Sequence, residues 1–304
     1  ALSVPDILLP KHLDTASWSC IACDQYTQDR NYWKEAEKAA HGKPSTLNLI
    51  LPEIYLNDGD KESRIAGIQA AMRRYIDEGL FEEKHGFVYV ERTTAFGRMR
   101  RGLVAAIDLD DYEWKPFSKA LIRATEATIP ARIPPRKAIR SGAPLEAPHI
   151  MLLVNDASDS LVGRTGKTVK ASGVSPLYSG NLMMNGGSIK GWLVPESSES
   201  AILASLKNIA EANTESDGSV FMFAAGDGNH SLATAKAVWD EYKTSLGEAE
   251  RKASRVRYAL VEIVNIYDQG LTFEPIHRVL FGADAAELIL RLTSQFGGEV
   301  AQCR

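Results

Sequence analysis

With 304 residues and 44% apolar content, the chain is long enough to bury one large core or two medium ones. Its 35 basic and 39 acidic residues give a formal charge of −4, which supplies no field to hold a nucleic-acid backbone and disfavours duplex binding. No apolar run reaches the roughly 18 to 20 residues needed to cross a bilayer, and the start of the chain lacks the basic and small-residue pattern of a signal peptide, so a cytoplasmic protein with neither nucleic-acid nor membrane partners is expected.

Cys20 and Cys23 form the first recognisable pattern, a C-x-x-C. With Cys303 as the remaining thiol there is neither a disulfide framework nor the second pair that four-coordinate zinc requires, so the two are expected to be small buried side chains. Cys23-Asp24-Gln25-Tyr26-Thr27 is a polar turn after an apolar triplet. Ile65, Ile68, Met72, Tyr75 and Ile76 have helical spacing, and Gly79 follows where such a helix would stop. Segments 87–91 and 99–109 predict two strands of a hairpin turning at Phe96-Gly97.

A third strand is expected over 119–128, ending before Pro130 and Pro134-Pro135. Alternation puts Arg123, Thr125 and Ala127 on one of its faces and Ala124, Glu126 and Thr128 on the other. Glu126 reads as a general base or a metal ligand, and Arg123, Arg132, Arg136 and Arg140 offer planar forks for phosphate or carboxylate. The plainer reading is a salt-bridged rim. Segment 149–154 predicts a buried strand. The Gly-, Ser- and Asn-rich stretch 155–190 reads as a domain boundary or inserted loop. Within it Gly166-Lys167-Thr168 ends like a P-loop, but Leu161 stands where the first glycine is required, so it is taken as loop.

A helix over 199–211, a buried strand over 220–225 and a long helix over 229–246 follow. Between the last two lies Gly226-Asp227-Gly228-Asn229-His230-Ser231. The glycines permit close approach or positive φ, Asp227 or Asn229 can cap the helix, and the helix start favours an anion that His230 and Ser231 would also meet. A strand over 258–266 precedes the extended segment Phe273-Glu274-Pro275-Ile276, after which His277-Arg278 reads as a satisfied histidine beside a surface arginine or as further site residues. A helix over 284–296 ends on Gly297-Gly298, and the chain reads as cut short soon after.

The expected fold is mixed α/β (α+β), a layered sheet with helices: an N-terminal α/β region (1–160), a loop-rich insertion or linker (161–198) and a C-terminal α/β region (199–304) carrying the Asp-Gly-Asn-His turn. The segments Ile21-Ala22-Cys23-Asp24-Gln25-Tyr26-Thr27, Arg123-Ala124-Thr125-Glu126, Arg132-Ile133-Pro134-Pro135-Arg136, 226–236 and 273–278 resemble the bacterial and archaeal family called domain of unknown function 1015. Its typical members carry Asp-Gly-His-His-Arg where this chain has Asp227-Gly228-Asn229-His230-Ser231. That form is similar to the phosphate signature of the ParB and sulfiredoxin-like fold, which implies such an element in the C-terminal half and a nucleotide phosphate at the helix start.

Serine in place of that arginine leaves the positive charge to Arg123, Arg132, Arg136 or Arg278. The expectation is therefore a nucleotide-dependent phosphotransferase or phosphohydrolase acting on a small molecule. Asp227, Glu126 and His230 are its catalytic candidates, and Gly228, Asn229, His230 and Ser231 its phosphate contacts. Asp24, Thr128 and His277 are further candidates, and Asp227 or Glu126 would hold magnesium if it is used. A non-catalytic ligand sensor using the same pocket is the competing reading, and a partner-binding module with a purely architectural turn a third.

Overall fold

A computed structural model of the chain describes residues 2–12, 14–126, 128–272 and 280–298. The chain divides into two compact units, Ala1–Leu271 and Thr272–Arg304. His277 and Arg278 lie outside the described residues.

In the first unit the strands are β1 (Leu2–Ser3), β2 (Asp6–Pro10), β3 (Phe81–His85), β4 (Val88–Thr93), β5 (Met99–Asp108), β6 (Tyr112–Glu113), β7 (Ile122–Ala124), β8 (Met151–Val154), β9 (Tyr178–Asn181), β10 (Ser188–Leu193), β11 (Phe223–Asp227) and β12 (Tyr258–Asn265). Its helices are α1 (Thr15–Trp18), α2 (Arg30–Ala40), α3 (Lys61–Asp77), α4 (Ile133–Arg140), α5 (Val162–Ala171), α6 (Glu199–Ala212), α7 (Asn229–Tyr242) and α8 (Glu248–Ala253). β2 and β3 pair with each other. The other strands form one sheet in the order β6-β7-β11-β8-β12-β5-β4-β10-β9, with β1 also on β5.

This sheet is mixed, as a layered α/β pattern predicts. β4 and β5 form the expected antiparallel hairpin, closed where Gly97 takes φ 75°. β7 runs parallel to β11, and β8 parallel to β12 but antiparallel to β11. No described helix is long and apolar enough to cross a membrane.

Alternation along the strands sorts the two faces. Tyr89, Leu103, Ala105, Ile107, Leu152 and Ile263 turn to one side, where they pack with Val162 and Val169 of α5, Ile202 and Ile209 of α6, and Leu232, Ala235 and Trp239 of α7. A second core joins Trp33, Ala36 and Ala40 of α2 with Ile68, Ala71, Met72 and Tyr75 of α3 and Leu47, Leu49, Leu51 and Tyr55 between them.

The stretch 161–198, expected to be loop-rich, instead holds α5 and two sheet strands, β9 and β10. Its glycines, read as loop formers, serve close packing: a Cβ on Gly166 would sit 2.4 Å from the Tyr89 ring, and one on Gly163 would overlap the Asp159 carboxylate. Asp159 Oδ1 accepts the Gly163 N–H and Asp156 Oδ2 accepts the Leu161 N–H, so two carboxylates satisfy donors at the start of this helix. The strand expected over 119–128 is confined to 122–124. In the second unit α9 (Ala285–Phe296) starts on Asp284, whose carboxylate accepts the Glu287 N–H, and stops at Gly297.

Candidate functional site

The Gly-Asp-Gly turn owes its shape to two local constraints. At Gly226 the register of β11 on β8 slips: Ala225 faces Leu152 but Asp227 faces Met151. A bulge of this kind sends the next side chain to the opposite face of the sheet. Gly228 then takes φ 75°, and a Cβ there would lie 3.0 Å from the Ile150 Cα. A Gly228→Ala substitution is expected to cost about 2 to 4 kcal/mol, combining the left-handed penalty with overpacking against backbone. Thermal denaturation checks this; an unchanged melting temperature would contradict it.

α7 begins at Asn229 with Gly228 as N-cap and no side-chain cap, so its first-turn N–H groups have no capping side chain. Neither Asp227 nor Asn229 caps it. Asp227 Oδ1 accepts the Gly228 N–H, while the Asn229 side chain turns inward and donates to Ala225 O at 3.1 Å. Thr125 Oγ1 donates to the same carbonyl at 2.5 Å, which ties the end of β7 to the turn. Glu126 is thereby brought beside a turn a hundred residues away in sequence.

The first turn of α7 faces a cleft of about 580 Å³, within the usual range for small-molecule pockets. Glu126, Arg132, Arg136, His230 and Ser231 line it together with Asp24, Cys23 and His149. Arg123 belongs elsewhere. It pairs with Glu215 at 2.8 Å, donates to Ala120 O and lies over the Phe221 ring, so it acts as a structural latch. Asp227, turned by the bulge, opens into a different cavity together with Glu262. Thr128 is buried with its hydroxyl unpartnered.

His149 lines the cleft wall, although local sequence pattern marks it only as the start of a strand. Its Nε2 lies 3.3 Å from Asp24 Oδ2 and 3.4 Å from Ser231 Oγ, and its Nδ1 4.0 Å from Cys23 Sγ. The Cys23 segment is anchored by the Glu53 N–H, which donates to Cys23 O at 2.7 Å, and by the Trp33 indole, which donates to Tyr26 O. Burial alone would lower the His149 pKa, but its contacts with Asp24 and Cys23 prevail and raise it to about 10, so the ring is an imidazolium at neutral pH. Burial would likewise raise the Asp24 pKa, yet the hydrogen bond and charge of His149 hold it below the ordinary value. Cys20 and Cys23 are half-buried rather than sealed in a core, with Cys23 in the cleft.

His230 is held below its ordinary value, first by burial and then by Arg136 and Arg132. Its Nε2 accepts from the Ile129 N–H at 3.4 Å, leaving Nδ1–H as the donor of a neutral ring. Among the cleft cations, Arg136 pairs with Glu53 and Arg140 with Glu146, whereas Arg132 has no ion-pair partner among the described residues. Glu126 has none either. Asp24 Oδ1 and Asn229 Oδ1 are buried without hydrogen-bond partners, so unsatisfied polar atoms gather at this end of the sheet. Among the described residues no three His, Cys, Asp or Glu side chains come together as a metal-binding group.

The family described as "Protein of unknown function (DUF1015)" matches residues 6–302. No curated protein and no solved structure matches the chain.

Proposed function

Because the chain belongs to the DUF1015 family, whose description assigns no reaction, we propose from the cleft itself that the protein is a phosphotransferase or phosphohydrolase acting on a small molecule, with a nucleotide as the phosphoryl source. The observation that carries this reading is the convergence on one cleft of an uncapped helix start, the Ser231 hydroxyl, a charged His149 and Arg132, which has no ion-pair partner among the described residues. These are donors of the kind that hold phosphate oxygens. The similarity of Asp227-Gly228-x-His230 to the ParB and sulfiredoxin-like phosphate signature supports the same reading.

In this reading the N–H groups at the start of α7, Ser231 Oγ and neutral His230 hold the phosphate, and Arg132 offsets its charge. The His149 imidazolium, fixed by Asp24, faces the same group and stabilises charge that builds on its oxygens during transfer. Glu126, which has no ion-pair partner among the described residues, takes the proton of the attacking hydroxyl or water. Glu126 also offers magnesium one carboxylate, leaving the remaining positions to phosphate oxygens and water as that ion commonly accepts; when bound, the ion would neutralise phosphate charge. Asp227 opens on the other cavity and is not placed to share that ion.

His230→Ala is expected to weaken binding of a phosphorylated ligand about tenfold to a hundredfold with the fold intact, since a hydrogen bond to a charged group contributes about 1.5 to 3 kcal/mol. Calorimetric titration reads the affinity. If affinity is unchanged while the melting temperature falls several degrees, His230 is structural and the reading fails there. Phosphorus NMR on the same ligand, with wild type and Glu126→Gln, separates turnover from the sensor alternative.

A further inference from the structure

Opposite the α5–α7 layer, the other face of the sheet carries a second cavity of about 530 Å³ with a polar floor. Strand register puts Arg92 of β4 directly across from Arg100 of β5, Glu262 of β12 beside Met151 of β8, and Asp227 beyond it. Pro148, His149 and Ile150 form a wall shared with the cleft described above.

Two like charges directly opposite in a sheet are destabilising unless something compensates them. One compensation is visible: Arg100 Nη2 donates to Glu262 Oε2 at 2.8 Å. It is incomplete. Arg92 makes no hydrogen bond or ion pair with a described side chain, and the Nε atoms of both arginines and Glu262 Oε1 are buried without partners. Burial and the neighbouring Arg100 both hold the Arg92 guanidinium below its ordinary value.

The floor is also built at the expense of strand propensity. Gly102 and Gly191 sit inside strands, where glycine weakens pairing and marks a close approach. A Cβ on Gly102 would lie 2.3 Å from Glu262 Oε1, and one on Gly191 would lie 2.2 Å from the Tyr178 ring. The glycines thus clear the space in which Glu262 reaches Arg100 and Tyr178 lies over the sheet. Arg92, Arg100 and the His149 imidazolium stand against the Glu262 and Asp227 carboxylates around this cavity, a balance of one positive charge that suits a monoanion better than a phosphate dianion, and planar forks match a planar carboxylate.

We propose that this second cavity binds a small organic acid through its carboxylate, with Arg92 and Arg100 as its partners. The assignment stands on the arginine pair and does not depend on the phosphate reading of the first cleft. The test is a thermal-shift and calorimetric series on the full chain with acetate, lactate, succinate and glutarate, with acetamide and succinamide as uncharged counterparts, and with inorganic phosphate. At least one acid should bind wild type and its amide should not. Its Kd should weaken about tenfold or more in Arg92→Gln, and in Arg92→Lys, which keeps the charge but loses the fork. In Arg132→Gln it should stay unchanged. Failure of every acid to bind, stronger binding of inorganic phosphate than of any acid, or acid binding that survives Arg92→Lys would each overturn the proposal. Should Arg92→Gln not fold, Arg92→Lys decides alone.

Discussion

Replacing His149 by alanine is expected to lower the stability of the protein by about 2 to 3 kcal/mol, roughly 3 to 5 °C in melting temperature. The residue has a sheltered side chain, ties Asp24 to the cleft wall and contacts Ser231 and Cys23. Its removal leaves Asp24 with a carboxylate whose Oδ1 already lacks a partner. Breaking a buried pair from one side costs about 3 to 5 kcal/mol, and the figure is discounted because the Asp24 side chain is 29% exposed. Asp24→Asn in the same chain should recover part of the loss, because the stranded charge is gone. A double-mutant cycle on melting temperatures reads the coupling; additive effects of the two substitutions would show that the pair is not energetically linked.

The same pair sets a pH dependence. The His149 pKa is raised from an ordinary 6.5 to about 10 in the folded protein. The stability this contributes is therefore fully present below about 6.5, declines as pH rises above that value, and is lost as pH passes through about 10. Asp24, held below its ordinary 3.8, contributes above that value and loses its contribution as pH falls through its lowered pKa. The melting-temperature gap between wild type and His149→Gln should thus be widest from about pH 4 to 6.5 and close toward pH 10. A gap that stays constant between neutral pH and pH 10 would mean that His149 is not charged in the fold.

Local patterns revealed the elements more readily than the site. The β4–β5 hairpin, the buried β11 and the start of α7 follow from alternation, a Gly-containing turn and helical periodicity, all carried by neighbouring residues. The proximity of Glu126 to the Gly226 turn was also legible, because polar ends of parallel strands gather at one edge. His149 was not. It precedes an apolar run, and its contacts to Cys23 and Asp24 bridge more than a hundred residues, a pairing no local pattern encodes.

Asp227 and Arg123 were misplaced for physical reasons of their own. One extra residue at Gly226 reverses the face of Asp227, and Glu215, far along the chain, captures Arg123. α5 was missed because its glycines look like loop residues until Tyr89 fills the space above Gly166. Asp156 and Asp159, which accept the Leu161 and Gly163 N–H groups, were the local signal that could have revealed it.

The most direct test of the central claim is a melting-temperature screen of wild type and Arg132→Gln against nucleotides and phosphorylated metabolites, with and without magnesium. A ligand that binds the native state stabilises it by mass action. Arg132 is the cleft arginine without an ion-pair partner among the described residues, so its substitution removes charge from the ligand's side without breaking an internal pair. The account predicts that at least one phosphorylated compound raises the melting temperature of wild type and that the rise is largely lost in Arg132→Gln, whose own melting temperature is unchanged. A screen in which no phosphorylated compound stabilises wild type, or in which the stabilisation persists in Arg132→Gln, would contradict it.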